Sequence, residues 1–570
     1  AYMDIRNIPF SRRGSYMAIS DCCENYRGHG NRAGLWLRTV SGATETPFVM
    51  RLQLLERGQP APFTTEFDGL TLHLVGAHGN VSLCFCGPDT LLCHGIGANI
   101  GLLLDEICAP GSCNYLQPIV PGDEDILCVN CYKNSARYLL FRSAGTMTPH
   151  QVWDREEAHD CCVKFGAAAG EFRFAIREFV RKLDLTPPPA DAAPCLAAAR
   201  EDLARFLPEA ASIPAAYRTA AQTSAYVRWA SLVAPRGQLR REAMLMSKNW
   251  MTSVWSWDHC FNALALCDVD PVLAWNQFLV PFDLQSPDGG LPDFVDDAAC
   301  FFNCVKPPIH GWTLKKMMQR MELTRQQKQT AYEKLSALTR WWFAQRDQDG
   351  DGLCEYWHGN DSGWDNSTVF AQGPCVISPD LSAFLVVQMD VLKMLAIQLG
   401  LTDEAAQWRE QAQKTADVMV KTLFENDLPI ARDVVTRKII PNKSLLPYMS
   451  LLAADYLPRR CVDAMLAVLQ SSDFLTPYGY ATEKVASPAF EENGYWRGAV
   501  WAPTMCLLYD ALKTAGADTA ARTAAEAYCR AVQVGGPAEN HSALTGAALR
   551  DPAYTWSASV FRLLLQEILQ

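Results

Sequence analysis

Thr186-Pro187-Pro188-Pro189-Ala190-Asp191-Ala192-Ala193-Pro194 is the stretch at which the hydrophobic period of this 570-residue chain changes. Its prolines fix φ and remove backbone donors, so a stiff, extended linker is predicted over 186–194. Upstream the period is two. Leu35-Trp36-Leu37-Arg38, Phe48-Val49-Met50-Arg51-Leu52-Gln53-Leu54, Leu70-Thr71-Leu72-His73-Leu74, Val81-Ser82-Leu83-Cys84-Phe85, Arg137-Tyr138-Leu139-Leu140-Phe141 and Phe172-Arg173-Phe174-Ala175-Ile176 alternate between turns rich in Gly, Pro and Asp. Such runs predict an N-terminal antiparallel β-sandwich domain over 1–185.

Downstream, over 195–570, the period becomes helical. Apolar residues recur three and four apart over 195–207, 215–232, 314–321, 327–345, 381–399, 404–424, 461–469, 504–512, 518–534 and 556–569, with further helices expected over 261–267, 271–280 and 444–456. No repeat of fixed length runs through them, which argues against a solenoid. A closed ring of helix hairpins fits, with the loops at one end converging on a funnel.

A chain of this length holds a large core and more than one domain. The net charge of -11 and pI near 5.5 argue against a nucleic-acid footprint and suit a neutral polyol ligand. No run approaches a membrane span, so no membrane partner is expected. The opening Ala1-Tyr2-Met3-Asp4-Ile5-Arg6 lacks the basic start and apolar run of a secretion signal. Twenty-one cysteines without a pairing pattern read as free thiols in a reducing cytoplasm. Cys84-x-Cys86, Cys93, Cys108, Cys113 and Cys128-x-x-Cys131 are the nearest approach to a zinc cluster, but a second C-x-x-C pair is missing. The sequence carries no mark of an oligomeric state.

The loop Gly359-Asn360-Asp361-Ser362-Gly363-Trp364-Asp365-Asn366-Ser367-Thr368 fits neither period. Trp364 beside Asp365 offers an apolar wall that takes a sugar face and desolvates the carboxyl, keeping it protonated as a glycosidic general acid requires. A second carboxylate stands in Ala538-Glu539-Asn540-His541-Ser542, a loop followed by Tyr554-Thr555-Trp556. Trp250-Met251-Thr252-Ser253-Val254-Trp255-Ser256-Trp257-Asp258 places three further indoles and a carboxylate before a helix. Tyr495-Trp496-Arg497-Gly498-Ala499-Val500-Trp501 sets a guanidinium among aromatics.

These four stretches, in this order, resemble the inverting α-glycosidases of glycoside hydrolase family 63 and their relatives, the mannosylglycerate and glucosylglycerate hydrolases and, more distantly, trehalase. The resemblance covers the second two-thirds of the chain. It implies an (α/α)6 barrel, with Asp365 as general acid, Glu539 as general base, and Trp257 and Asp258 holding the non-reducing sugar. Spacing alone does not choose between Asp361 and Asp365; the family's Gly-Trp-Asp element selects Asp365. Glu483, Glu491 and Glu492 compete with Glu539, which alone matches the family's base loop.

Trp364, Tyr495, Trp496, Gly498, Trp501 and Trp556 complete the expected sugar site, Trp496 being the best placed for direct contact. Arg497 is either a buried ion pair or a group that locks a carboxylate or touches sugar oxygens. His310 is either a helix-cap partner or a leaving-sugar contact. Asp347-Gln348-Asp349-Gly350-Asp351-Gly352 resembles a calcium loop, but His358 stands where an EF-hand needs a bidentate Glu, so an Asx turn is expected; structural calcium stays open. No metal or organic cofactor is required. The expected activity is that of an inverting exo-α-glucosidase on small glucosides or oligosaccharides, with an inverting phosphorylase of similar architecture and a non-catalytic carbohydrate-binding protein as rivals.

Overall fold

The computed structural model describes residues 2–24, 30–108, 112–207 and 212–570. The N-terminal part forms two antiparallel sheets. One runs in the order Met17–Cys22, Gly34–Thr39, Phe48–Glu56, Ile100–Asp105, Glu157–Gly166, Thr146–Asp154, with Gln59–Pro60 added to Phe48–Glu56. The other runs Tyr115–Pro118, Ile126–Cys131, Ala136–Ala144, Glu171–Phe179, Thr90–Ile96, Asn80–Phe85, Thr71–Val75, Thr64–Phe67. The alternation read from sequence sets their inner faces: Leu52 and Leu54 of one sheet, and Leu72, Leu74, Leu83, Leu91 and Ile176 of the other, share a core.

Twelve α-helices follow among the described residues: α1 (Ala193–Ala204), α2 (Arg218–Ala230), α3 (Asp258–Leu266), α4 (Pro271–Leu279), α5 (His310–Met318), α6 (Arg325–Gln345), α7 (Pro379–Leu399), α8 (Thr402–Leu423), α9 (Arg459–Leu469), α10 (Ala502–Thr514), α11 (Asp518–Gly535) and α12 (Thr555–Leu569). The expected helix over 444–456 is a 3₁₀ segment, Leu446–Tyr456, entered through Pro447. Neighbours close a cycle: α3 packs on α5, α5 on α7, α7 on Leu446–Tyr456, that segment on α10, α10 on α12, and α12 back on α3. Outside it, α4 lies on α3, α6 and α8 on α7, and α2 and α11 on α12.

The two layers differ as their surroundings demand. Helix α7 is wedged between neighbours and is buried on most of its faces, including Leu381, Phe384, Leu385, Met389, Leu392 and Leu395. Helix α8 buries only the stripe Ala405, Trp408, Ala412, Ala416, Met419 and Leu423. The helix starts carry local signals: Thr324 and Gln327 form a capping box at α6, and Asp270 caps α4 ahead of Pro271.

The sandwich and the helices share one apolar core. At their junction the buried ammonium of Lys248 donates to Ser11 Oγ (3.1 Å) and the carbonyl of Ser15 (2.5 Å), and Arg38 donates to the carbonyl of Lys248 (2.7 Å). Asp297 accepts from Ser41 Oγ (2.5 Å) and the Gly42 amide (2.7 Å), tying a sandwich loop to the loop ahead of α5.

The cysteines correct one expectation. Cys86 is bonded to Cys195, and Cys108 to Cys161, so the thiols are not free throughout. The first pair spans 109 residues and depends on α1 docking against the sandwich, a proximity that no local spacing reveals. The case for a reducing compartment built on unpaired thiols falls with it. Cys128 and Cys131 sit on one strand at an odd spacing, so they point to opposite faces and belong to different apolar clusters; they do not converge on one ion. Among the described residues no helix is long and apolar enough to cross a membrane.

Candidate active site

Six loops leave an outer helix and enter the next member of the cycle: those before α3, α5, α7, Leu446–Tyr456, α10 and α12. This alternation delivers them to the same end of the cycle, at the N-termini of the inner helices. The four stretches singled out in the sequence lie on four of these loops.

They meet in a cluster of indoles. Trp496 stacks on Trp501 with ring centroids 3.8 Å apart and on Trp364 at 5.0 Å; Trp257 lies 6.3 Å from Trp496 and 5.8 Å from Trp556; Trp501 and Trp556 are 5.7 Å apart. None of the five is more than 4% exposed. The sugar platform expected of Trp496 is therefore a buried ring whose faces are spent on its neighbours, and the cluster forms a rigid wall.

The acid loop is fixed by its own short side chains. Gly363 adopts a left-handed φ of +73°, and a Cβ there would fall 2.5 Å from Trp257 Cζ2, so only glycine lets the two loops touch. Asn366 accepts from the Trp496 amide (2.9 Å) and donates to the Gly494 carbonyl (3.0 Å), stitching the Asp365 loop to the Tyr495 loop. The Tyr495 loop is joined in turn to the Glu539 loop by pairing of Val500–Trp501 with Asn540–His541. Trp556 Nε1 donates to the Glu539 carbonyl (3.0 Å), and the Glu539 amide to the Asp551 carbonyl (2.7 Å).

The structure separates the carboxylates that the sequence left in competition. Asp361 is buried and fully engaged, accepting from Arg346 (2.7 Å), the Trp357 amide (2.8 Å) and the Val305 amide (3.0 Å). Glu483 is buried and accepts from Thr368 (2.8 Å) and Ser487 (2.7 Å), while its neighbour Lys484 pairs with Asp473. Glu492 accepts from Ser542 (2.5 Å), and Glu491 pairs with Arg497 at 3.2 Å. These side chains hold loops together. Asp365, by contrast, lines a cavity of about 720 Å³ with His358, Asn366 and Arg497. Glu539 is buried, and its oxygen Oε1 has the Tyr495 hydroxyl at 3.4 Å.

Burial raises both carboxyls. Desolvation pushes Glu539 up to about 7, with Asp551 adding to the push and Arg550, which lies over the Tyr495 ring, opposing it. Asp365 is raised by burial against the pull of Lys306. Burial likewise drives Asp258 well up, opposed by Lys306 and by the Tyr554 hydroxyl that donates to it at 3.1 Å. Lys306 is itself fixed by Asp293 (2.9 Å) and the Asn360 carbonyl (2.7 Å). Burial raises the Tyr495 hydroxyl, and the charges of Glu539, Asp365 and Asp258 add to that rise while Arg550 opposes it.

Gly498 donates to Thr482 Oγ1 (3.0 Å), and any Cβ there would fall 2.0 Å from the Glu491 carbonyl oxygen, which gives it a packing role. His310 stands apart. Its ring packs on His259 and Phe282, it is 1% exposed, and burial lowers it to about 3. Sequence reading gave no role to Tyr554 and Arg550; Arg550 sits in an unremarkable turn, and only the folded chain brings it to Tyr495.

Among the described residues, two groups of side chains lie close enough to share an ion: His259, Cys260 and His310, and Asp347, Asp349 and Asp351. In the first, burial holds all three in their neutral forms. In the second, Arg437 pairs with Asp349 and Asp351, so a guanidinium occupies the mouth of the acidic loop.

The sequence pattern of the mannosylglycerate hydrolase MGH1-like glycoside hydrolase domain matches residues 251–557, more than half of the chain. The chain belongs to this family. It is a glycoside hydrolase related to family 63. The matched region spans the loops before α3, α5, α7, α10 and α12, and so contains Asp258, Asp365, Tyr495 and Glu539.

Among its relatives, mannosylglycerate hydrolase MGH1 of Selaginella moellendorffii is 20% identical over 386 residues, 54% of this glycoside hydrolase and 78% of the relative. A mannosylglycerate hydrolase of Thermus thermophilus is 29% identical over 136 residues, 20% of this chain and 33% of that one. The crystal structure of a GH63 mannosylglycerate hydrolase of Thermus thermophilus in complex with glucose superposes with a TM-score of 0.53 at 21% identity, covering 60% of this chain and 98% of that one. A bacterial glucoamylase complexed with acarbose gives a TM-score of 0.58 at 10% identity over 100% of this chain and 94% of the other. The glucoamylase likeness extends the shared fold to the sandwich.

Proposed function

We propose that this glycoside hydrolase is an inverting, exo-acting α-glycosidase of small glycosides, an α-glucosidase in the first instance. Asp365 protonates the glycosidic oxygen, and Glu539 deprotonates the water that attacks from the opposite face of the ring. The closed helix cycle is read as an (α/α)6 barrel, with the active site at the end where the outer-to-inner loops gather. The observation that carries the reading is that Asp365 lines a cavity on a loop that Asn366 ties to the Tyr495 loop, while the buried Glu539 has the Tyr495 hydroxyl at 3.4 Å and lies on a loop paired with Val500–Trp501. Inversion calls for two carboxyls on opposite sides of the sugar, one holding a proton and one able to take one.

In this mechanism Asp258 and Tyr554 bind sugar hydroxyls at the closed end of the site, Lys306 balances the charge of the carboxylates, and the indole cluster of Trp257, Trp364, Trp496, Trp501 and Trp556 keeps the loops in register. Arg497 and His358, which share the Asp365 cavity, face the leaving group. The mechanism needs neither metal nor organic cofactor.

The test is turnover of a panel of α-linked glucosides, together with the mannosylglycerate for which the relatives are named, with and without phosphate. The anomer first released is followed by NMR. Phosphate-independent release of the β-anomer from an α-linked substrate supports the proposal. Strict dependence on phosphate would make the protein a phosphorylase. Retained binding without turnover on any panel member would make it a carbohydrate-binding protein.

A further inference from the structure

Away from the catalytic end, a cavity of about 440 Å³ lies between α2, α12 and the segments leading into α2 and out of α3. Its wall is apolar where Ile213, Ala221, Phe561 and Leu565 face it, and cationic where Arg205, Arg228 and Arg562 do. Arg562 is neutralised by Asp268 (2.7 Å), and Arg205 by Asp270 (2.7 Å).

Arg228 is different. It is 1% exposed, its Nη2 donates to the Phe206 carbonyl at 3.3 Å, and among the described residues its Nε and Nη1 have no hydrogen-bond partner. Ser224, one helical turn earlier on the same face of α2, is equally buried, and its hydroxyl is also unpartnered among the described residues. A guanidinium buried beside a second guanidinium, with three unused donors among Nε, Nη1 and Ser224 Oγ, is a costly arrangement unless an acceptor with several oxygens sits among them. The planar fork of arginine matches two oxygens of a carboxylate or phosphate at once.

We propose that this cavity is a binding site for a small oxyanion, a carboxylate or phosphate group held by Arg228 Nε and Nη1 and by Ser224 Oγ, with the apolar wall accepting the body of the molecule that carries it. The site is separate from the catalytic loops but shares α12 with them: Trp556, which donates to Glu539, lies about 9 Å along the helix axis from Arg562.

The experiment is thermal unfolding of the full chain in chloride buffer and in inorganic phosphate or acetate at matched ionic strength. Phosphate, acetate or both raise the midpoint of the wild type by about 2 °C or more at about 10 mM. The shift is abolished in Arg228→Met and reduced in Ser224→Ala. The source of the oxyanion is assigned to whichever salt acts at the lower concentration. Arg228→Met also unfolds in chloride at a temperature equal to or above that of the wild type, because it removes an uncompensated buried charge. Should Arg228→Met fail to fold, Arg228→Lys, which keeps the charge and loses the fork, takes its place beside Ser224→Ala. Absence of any shift in the wild type, or a shift of the same size in the Arg228 variant, overturns the proposal.

Discussion

The phenolic hydroxyl of Tyr495 stands 3.4 Å from Oε1 of Glu539, on a residue whose backbone holds a left-handed φ of +63°. A non-glycine residue keeps such a conformation only where its surroundings enforce it. Here Trp501 Nε1 donates to the Tyr495 carbonyl (3.0 Å) and Arg550 lies over the ring. The hydroxyl favours the ionised form of Glu539, so Tyr495→Phe is expected to move the acid limb of the kcat/KM profile to higher pH. The displacement is small because a contact of this length is weak. An unmoved limb would place the hydroxyl outside the proton-transfer step.

Asp365→Asn and Glu539→Gln should each lower kcat by about 10²–10⁴-fold while leaving the affinity for an unreactive sugar analogue within a few-fold of the wild type. Because Glu539 must be ionised to accept a proton and burial holds it at about 7, wild-type activity should fall below neutrality. Steady-state rates across pH, together with calorimetric binding to the two variants, check both statements. Turnover of either variant near the wild-type level would exclude that residue from the chemistry.

The same burial has a consequence for stability. The folded protein raises the Glu539 carboxyl from 4.5 to about 7, so the advantage of its protonated form is complete below pH 4.5 and is lost as the pH rises through 7. Glutamine is a neutral stand-in. Glu539→Gln should match the wild type in unfolding free energy near pH 4 and exceed it at pH 8, by an amount on the order of 3 kcal/mol. An offset of the same size at both pH values would show that the carboxyl is not desolvated.

Asp361 and Asp365 should part company under mutation. Asp361 binds a buried guanidinium and two backbone amides, so Asp361→Ala strands Arg346 and is expected to cost about 3–5 kcal/mol. Asp365→Asn should unfold within about 1 kcal/mol of the wild type, since no short hydrogen bond depends on its charge. Denaturant titration of the two variants gives the comparison; equal losses would contradict the division of labour.

Gly363→Ala tests the contact between the acid loop and the first tryptophan stretch. A methyl group at φ +73°, directed at Trp257 Cζ2 from 2.5 Å, must displace one loop or the other. A loss of about 1–3 kcal/mol is expected, with a fall in kcat larger than any change in KM, because the displaced loop carries Asp365. A fully active, equally stable variant would mean that the two loops move independently.

Much of this was legible in the chain itself. The two-residue alternation before Thr186 and the helical spacing after Pro194 produce the sandwich and the helices because each period commits one face to burial, and the covalent order of the peptide alone dictates which residues share that face. The motifs around Trp257, Trp364, Trp496 and Glu539 were visible as polar, aromatic loops that no regular period absorbs. What spacing left open was the choice between similar carboxylates, Asp361 or Asp365 and Glu483 or Glu539, and the cysteines read as free include two bonded pairs. A side chain's role follows from which partners reach it first. Thr368, Ser542 and the Cys86–Cys195 link are partners supplied by distant segments, and Arg346 by the end of the preceding helix. The sequence by itself determined that antiparallel sheets precede helices and which polar, aromatic loops fall outside both periods. Only the tertiary structure decided which carboxylates are engaged in holding loops together and which are left desolvated, because that depends on partners that meet only in the folded chain, 15 positions away for Arg346 and Asp361 and 115 for Thr368 and Glu483.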